Sequence, residues 1–190
     1  MYFKEHMLST EECDYLVWLC EAENVWVDDT LSFFKMLPIR KYSSQHTVQL
    51  ILRTHAKTKE FMGKSFSKEM FCTKMDILKV NEKNKNILST YCINQPDDSA
   101  HCAVFISAPD NHQIILENNK NKLYPNVGSV LADEITNAEQ YGITYLSNQD
   151  IFVISSLWSF DNTQETYRED ISKMHNYMQA CQQPEQPVVR

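Results

Sequence analysis

At 190 residues the chain suits one domain that buries roughly 70% of the surface its unfolded form exposes. Hydrophobic residues make up 43% and charged residues 23%, which excludes a disordered chain, and no apolar run approaches the roughly 20 residues of a membrane span. A net charge of -7 repels phosphate backbones and anionic lipid heads, so nucleic acid and membranes are not expected partners.

The first predicted element is a helix over Leu8 to Glu23. Ser9 and Glu12 fit a capping box, and Cys13, Leu16, Val17 and Cys20 recur at helical spacing. Trp26 to Tyr42 contains Pro38 and reads as a loop with short extended pieces. A second helix is expected over His46 to Met62, with Val48, Ile51, Leu52 and His55 on one side.

From Met70 the texture changes. Runs rich in branched and aromatic residues follow one another: FCTKMDILKV, NILSTYCI, CAVFIS, QIILE, GSVLA, YGITYL and DIFVISSLW. Polar breaks separate them, the pattern of an antiparallel sandwich or barrel. A last helix is signalled by Asp161 and Gln164 as caps and by an apolar stripe of Tyr167, Ile171, Met174, Met178 and Cys181. The stripe reads as core packing; a homodimer through this helix is the alternative. Pro184 and Pro187 mark a tail, so the expected organisation is one domain over residues 1–183 and a flexible tail over 184–190.

Six cysteines (Cys13, Cys20, Cys72, Cys92, Cys102 and Cys181) show no CxxC spacing, and the N-terminus lacks the apolar core of an export signal. Reduced thiols in the core and a cytoplasmic location are expected. Three glycines (Gly63, Gly128 and Gly142) cannot build a phosphate loop, a dinucleotide fingerprint or a nucleophile elbow. Asp97–Asp98 and Asp133–Glu134 read as exposed charges in polar turns. A serine or cysteine nucleophile paired with histidine stays open, because such partners meet in space rather than in sequence.

Several phrases, taken together, resemble one family. LSTEECDYLVWL is similar to the opening helix of prolyl-4-hydroxylase-like oxygenases, which depend on iron and 2-oxoglutarate. MDILKVNEKNKN resembles the strand leading to that family's iron motif, and HCAVFISAPDN its next strand and turn. LYPNVGSVLADE, with Pro125 and Gly128, resembles a later strand. YGITYLSNQDIFVISSLWSF resembles the closing one, with Trp158 at its end. The resemblance implies an α+β fold: a double-stranded β-helix, or jelly roll, with supporting N-terminal helices and a C-terminal helix.

The same resemblance implies an HxD motif, a distal histidine and a basic residue for the cosubstrate carboxylate. Carried over by position, HxD falls at Tyr91, Cys92 and Ile93, the distal histidine at Asn137, and the basic residue at Ile151 or Phe152. There is no histidine between His112 and His175, and no lysine or arginine between Lys122 and Arg168. The expectation is therefore a non-catalytic binding or regulatory protein without a cofactor, holding a protein partner or a small organic ligand. Its pocket would include Tyr91, Ile93, Asn137, Ile151, Phe152 and Trp158. The alternative is an active oxygenase, or a non-redox enzyme of the same fold, with ferrous iron and 2-oxoglutarate or non-standard ligands. Cys92, His101 and His112 offer such a set for zinc or iron, although their spacing fits no compact metal motif; hydrogen-bonded histidines and buried thiols are the plainer reading.

Overall fold

A computed structural model describes residues 1–22, 33–35, 44–81, 85–107, 114–117, 122–138, 142–145, 150–164 and 168–182. In chain order the elements are β1 (Tyr2–Lys4), α1 (Thr10–Ala22), β2 (Phe33–Lys35), α2 (Gln45–Phe66), β3 (Phe71–Val80) and α3 (Ile87–Cys92). There follow β4 (Ser99–Phe105), β5 (Ile114–Glu117), β6 (Lys122–Leu123), β7 (Val130–Glu134) and α4 (Ile135–Ala138). The last are β8 (Gly142–Tyr145), β9 (Ile151–Ser159), a 3-10 turn (Asn162–Gln164) and α5 (Arg168–Gln182). A six-stranded sheet runs β1-β7-β4-β9-β3-β2 and a three-stranded sheet β6-β5-β8; every pairing in both is antiparallel.

Both faces of the large sheet are covered, which explains why all nine residues of β9 are buried. Alternation along each strand sorts the side chains. On the outer face Cys72, Met75 and Ile77 of β3, Cys102 and Val104 of β4, and Phe152, Ile154 and Trp158 of β9 join one cluster. Cys13 and Leu16 of α1, Ile51 and Met62 of α2, and Met174 and Met178 of α5 complete it. On the inner face Leu78, Val80, Ala103, Phe105, Leu131, Ile151, Val153 and Leu157 pack against α3 and α4, with Leu123 of the small sheet alongside. A register irregularity between Cys72 and Lys74 resets β3, so that Lys74 and Asp76 share the inner face.

α1 starts as its residues dictate. The Ser9 hydroxyl accepts from the Glu12 N–H at 3.2 Å, and the Glu12 carboxylate accepts from the Ser9 N–H at 2.9 Å. Glu12 also binds Lys57 (2.9 Å) and Arg53 (3.2 Å), tying α1 to α2. Replacing Ser9 by alanine is expected to cost about 1 kcal/mol in urea unfolding; a midpoint equal to that of the unmodified chain would show that the box contributes nothing. α2 is capped by Ser44, whose side chain accepts from the Thr47 N–H at 3.1 Å.

The observed structure corrects three expectations. NILSTYCI is helical over Ile87–Cys92, not a strand: Ile87, Leu88, Tyr91 and Cys92 are its buried residues, a spacing that fits one helix face. Asp161 does not cap the last helix; its carboxylate accepts from the Thr163 N–H at 2.9 Å in the 3-10 turn, and α5 starts at Arg168. Asp133 is not an exposed turn charge but a buried residue of β7, because alternation puts it on the inner face with Leu131, while Glu134 is exposed. Asp97 and Asp98 do lie exposed in a turn. Of the α5 stripe, Met174 and Met178 are buried and Ile171 packs against the outer cluster. Tyr167 and the tail from residue 184 lie outside the described residues, as does the side chain of Cys181.

Candidate functional site

The apolar inner face is broken by a row of polar side chains at its centre. Asp76 lies on β3, Ser155 on β9, His101 on β4 and Asp133 on β7, four consecutive neighbours in the sheet. Asp76 pairs in register with Ser155, and His101 with Asp133. A ring nitrogen of His101, Nε2, stands 2.6 Å from the Ser155 hydroxyl. Asp133 Oδ1 accepts from the Glu134 N–H at 3.0 Å and lies 3.2 Å from the amino group of Met1.

α3 lies across this row. Its Tyr91 hydroxyl donates to Asp76 Oδ2 at 2.9 Å and shares its proton with the Ser155 carbonyl oxygen at 3.1 Å. The Tyr91 and His101 ring centres are 6.1 Å apart. Lys74, the half-exposed member of the group, sets its ammonium 4.1 Å from the centre of the Tyr91 ring and 3.6 Å from Asp76 Oδ2. The buried carboxylate of Asp76 thus receives a phenol proton and a nearby cation, which offset the cost of burying its charge.

Burial holds His101 neutral. Its pKa falls from an ordinary 6.5 to about 4, because a charged imidazole there would lose its water; nearby Asp133 pulls the other way and is outweighed. Burial likewise pushes Cys102 up, so it is no thiolate nucleophile. The Ser155–His101 contact, with Asp133 beside the imidazole, has the residue types of an acyl-transfer triad. All three side chains are buried on the inner face, however, so none stands exposed to a substrate.

The residues singled out from sequence do not lie on one surface. Tyr91 and Ile151 belong to the inner cluster. Phe152 and Trp158 belong to the outer one, where Trp158 stacks on His55 at 5.7 Å and donates to the Ser156 hydroxyl at 2.8 Å. Ile93 follows α3 and is exposed. Asn137 sits in α4, its side chain outside the described residues, and His112 lies outside them altogether. Of the metal set read from sequence, Cys92 and His101 both lie on the inner side, whereas Cys72 and Cys102 face the helices. Among the described residues no three His, Cys, Asp or Glu side chains are placed to hold a metal ion. Cys13, Cys20, Cys72, Cys92 and Cys102 are buried and take part in no disulfide.

Sequence reasoning missed Ser155, Asp133 and Lys74 as members of the row. The signal was present in the strands themselves: Asp76, Asp133 and Ser155 are polar positions inside otherwise apolar runs, each in phase with inner-face neighbours.

No protein-family model and no curated protein matches the sequence. Solved structures do match. A viral collagen prolyl hydroxylase from Paramecium bursaria Chlorella virus-1 aligns with a TM-score of 0.57 at 12% identity, over 83% of this chain and 88% of that one. A 2OG-Fe(II) oxygenase family oxidoreductase from Burkholderia pseudomallei aligns at 0.54 and 10% identity, over 83% and 82%. A Pseudomonas putida prolyl-4-hydroxylase aligns at 0.52 and 8% identity, over 83% and 91%. At such identities the likeness establishes the fold alone: this chain is mixed α and β, with antiparallel sheets arranged as in solved 2OG-Fe(II) oxygenases.

Proposed function

We propose that the chain is a non-catalytic, oxygenase-like binding or regulatory protein, built on the double-stranded β-helix and working in the cytoplasm without iron or 2-oxoglutarate. The carrying observation is the Tyr91 hydroxyl, which lies at the position carried over from the iron motif and is committed to Asp76 and the Ser155 carbonyl. A phenol so engaged, the hydrocarbon of Ile93 and the amide of Asn137 do not fit a facial triad, which needs two imidazoles and a carboxylate. Ile151, apolar and buried on the inner face, has no charge for a keto-acid carboxylate. No catalytic step through iron is therefore assigned.

A fold can outlast its chemistry, because packing on both faces of the sheet maintains it without a metal. The function left to such a scaffold is recognition, of a protein partner or a small organic ligand. A catalytically intact relative in a modification or biosynthetic pathway is the partner we favour. Among the described residues no helix is long and apolar enough to cross a membrane.

Protein purified without oxygen and titrated with ferrous iron is expected to hold far less than one equivalent. It is also expected to release no succinate from 2-oxoglutarate. One equivalent of iron with succinate formation would replace this reading by that of an active oxygenase with non-standard ligands.

A further inference from the structure

We propose that α3 is a lid over the inner face of the large sheet, latched by the Tyr91 hydroxyl on Asp76 and Ser155, and opened by acid through protonation of His101. The geometry gives the latch. α3 is a single short helix of six residues whose N-cap, Asn86, makes no side-chain capping hydrogen bond. A helix so short is not stable by itself and depends on what it packs against. One polar anchor to the large sheet is that hydroxyl, reaching β3 and β9 together, and the Lys74 ammonium lies over the same ring.

The trigger lies directly beneath. His101 is buried, within hydrogen-bond distance of Ser155 on the strand whose carbonyl Tyr91 contacts. Among the described residues, the ionisable groups on this side of the sheet are Asp133 of β7, which acts on the imidazole and has the Met1 amino group beside it, Tyr91 of α3, whose ring lies 6.1 Å from it, and, around Tyr91, Asp76 and Lys74 of β3 and Cys92 of α3. β9 and α4 contribute none. A proton on the imidazole makes both ring nitrogens donors, so the Ser155 hydroxyl must turn its own proton elsewhere. The new charge also demands water, which reaches it when α3 lifts.

The sign follows from linkage. In the closed form His101 gains a proton only near pH 4; hydrated in the open form it does so near its ordinary 6.5. Between these values the open form holds the extra proton, so acid favours opening by up to tenfold per pH unit. From pH 7 to 4.5 the open population is expected to rise about 60-fold. The inference rests on the reading above, in which His101 and Cys92 hold no metal.

Cys92 is a reporter already in place, on α3 and fully buried, whereas Cys72 and Cys102 lie on the outer face of the sheet. The folded protein is alkylated for short times at pH 7 and pH 4.5. Each rate is divided by that of the same thiol in the urea-unfolded chain at the same pH, and the labelled cysteine is located by mass spectrometry. Cys92 is expected to gain about 60-fold at pH 4.5 while Cys72 and Cys102 stay protected. His101→Gln is expected to remove the pH dependence, and Tyr91→Phe to raise Cys92 labelling at least tenfold at pH 7. A pH-independent Cys92 rate, or loss of protection at all three thiols together, would overturn the proposal. Should His101→Gln not fold, a Tyr91→Phe rate equal to that of the unmodified protein overturns it as well.

Discussion

Gly128→Ala is expected to destabilise the protein by at least about 3 kcal/mol, from a left-handed backbone penalty of roughly 1–2 kcal/mol and a collision added to it. Gly128 has φ of 80°, a region L side chains rarely adopt, and a Cβ built there would meet the Leu8 carbonyl oxygen at 2.3 Å. Relief by movement is blocked, because that backbone is held from both sides. The Gly128 carbonyl accepts from the N–H groups of Met7 (2.7 Å) and Leu8 (3.3 Å), and its own N–H donates to the Phe105 carbonyl at 2.7 Å. The residue thus joins the end of β4 to the segment entering α1, and a shift large enough to admit a methyl group breaks these bonds. For a chain of this length the thermal midpoint is expected to fall by about 6–12 °C. A fall of less than 2 °C would mean that the turn relaxes freely and that this junction does not hold α1 on the sheet.

This glycine was visible in the sequence only as part of a Pro–Gly spacing, and that illustrates what the residues disclosed and what they did not. The helices α1 and α2 and most of the strands were legible because binary pattern and capping residues act locally: Ser9 with Glu12, the apolar side of Val48, Ile51, Leu52 and His55, and the branched runs of β3, β4 and β9. α3 was misread as a strand because a six-residue segment rich in branched and aromatic residues satisfies either period. Its helical spacing becomes decisive only once the inner face of the sheet offers a surface for Ile87, Leu88, Tyr91 and Cys92.

The site was legible in part, for a different reason. Tyr91 was singled out by position, whereas its partners Asp76 and Ser155 lie 15 and 64 residues away and are brought to it by strand pairing. Register decides which of two neighbouring residues faces inward. Ile151 and Phe152 were equivalent in sequence, but the β9 register sends Ile151 to the inner face and Phe152 to the helices. The same rule turned Trp158, expected near a ligand, into an outer-face residue under His55.

That outer-face histidine makes stability depend on acid, independently of the inner row. His55 on α2 is buried, and its pKa drops from 6.5 to about 4, chiefly through burial, with Lys59 and His175 adding repulsion. The unfolded chain takes up a proton near pH 6.5 while the folded chain refuses it until about pH 4. Between these values the unfolded form carries the extra proton, so stability falls as pH falls. About 3 kcal/mol is expected to be lost on this account by pH 4. The window separates it from the carboxylates: Glu60, held low by hydrogen bonding to Lys64, and Asp161, held low by the Thr163 N–H, lose their contribution only below their ordinary values of 4.5 and 3.8. Urea unfolding at pH 7, 5.5 and 4.5 measures the slope. In His55→Leu the loss between pH 7 and 4.5 is expected to shrink by about 2–3 kcal/mol, leaving the His101 contribution, while the contact with Trp158 stays apolar. Equal slopes in the two proteins would show that the imidazole is hydrated or charged in the fold, and that α2 does not seal the outer face over Trp158.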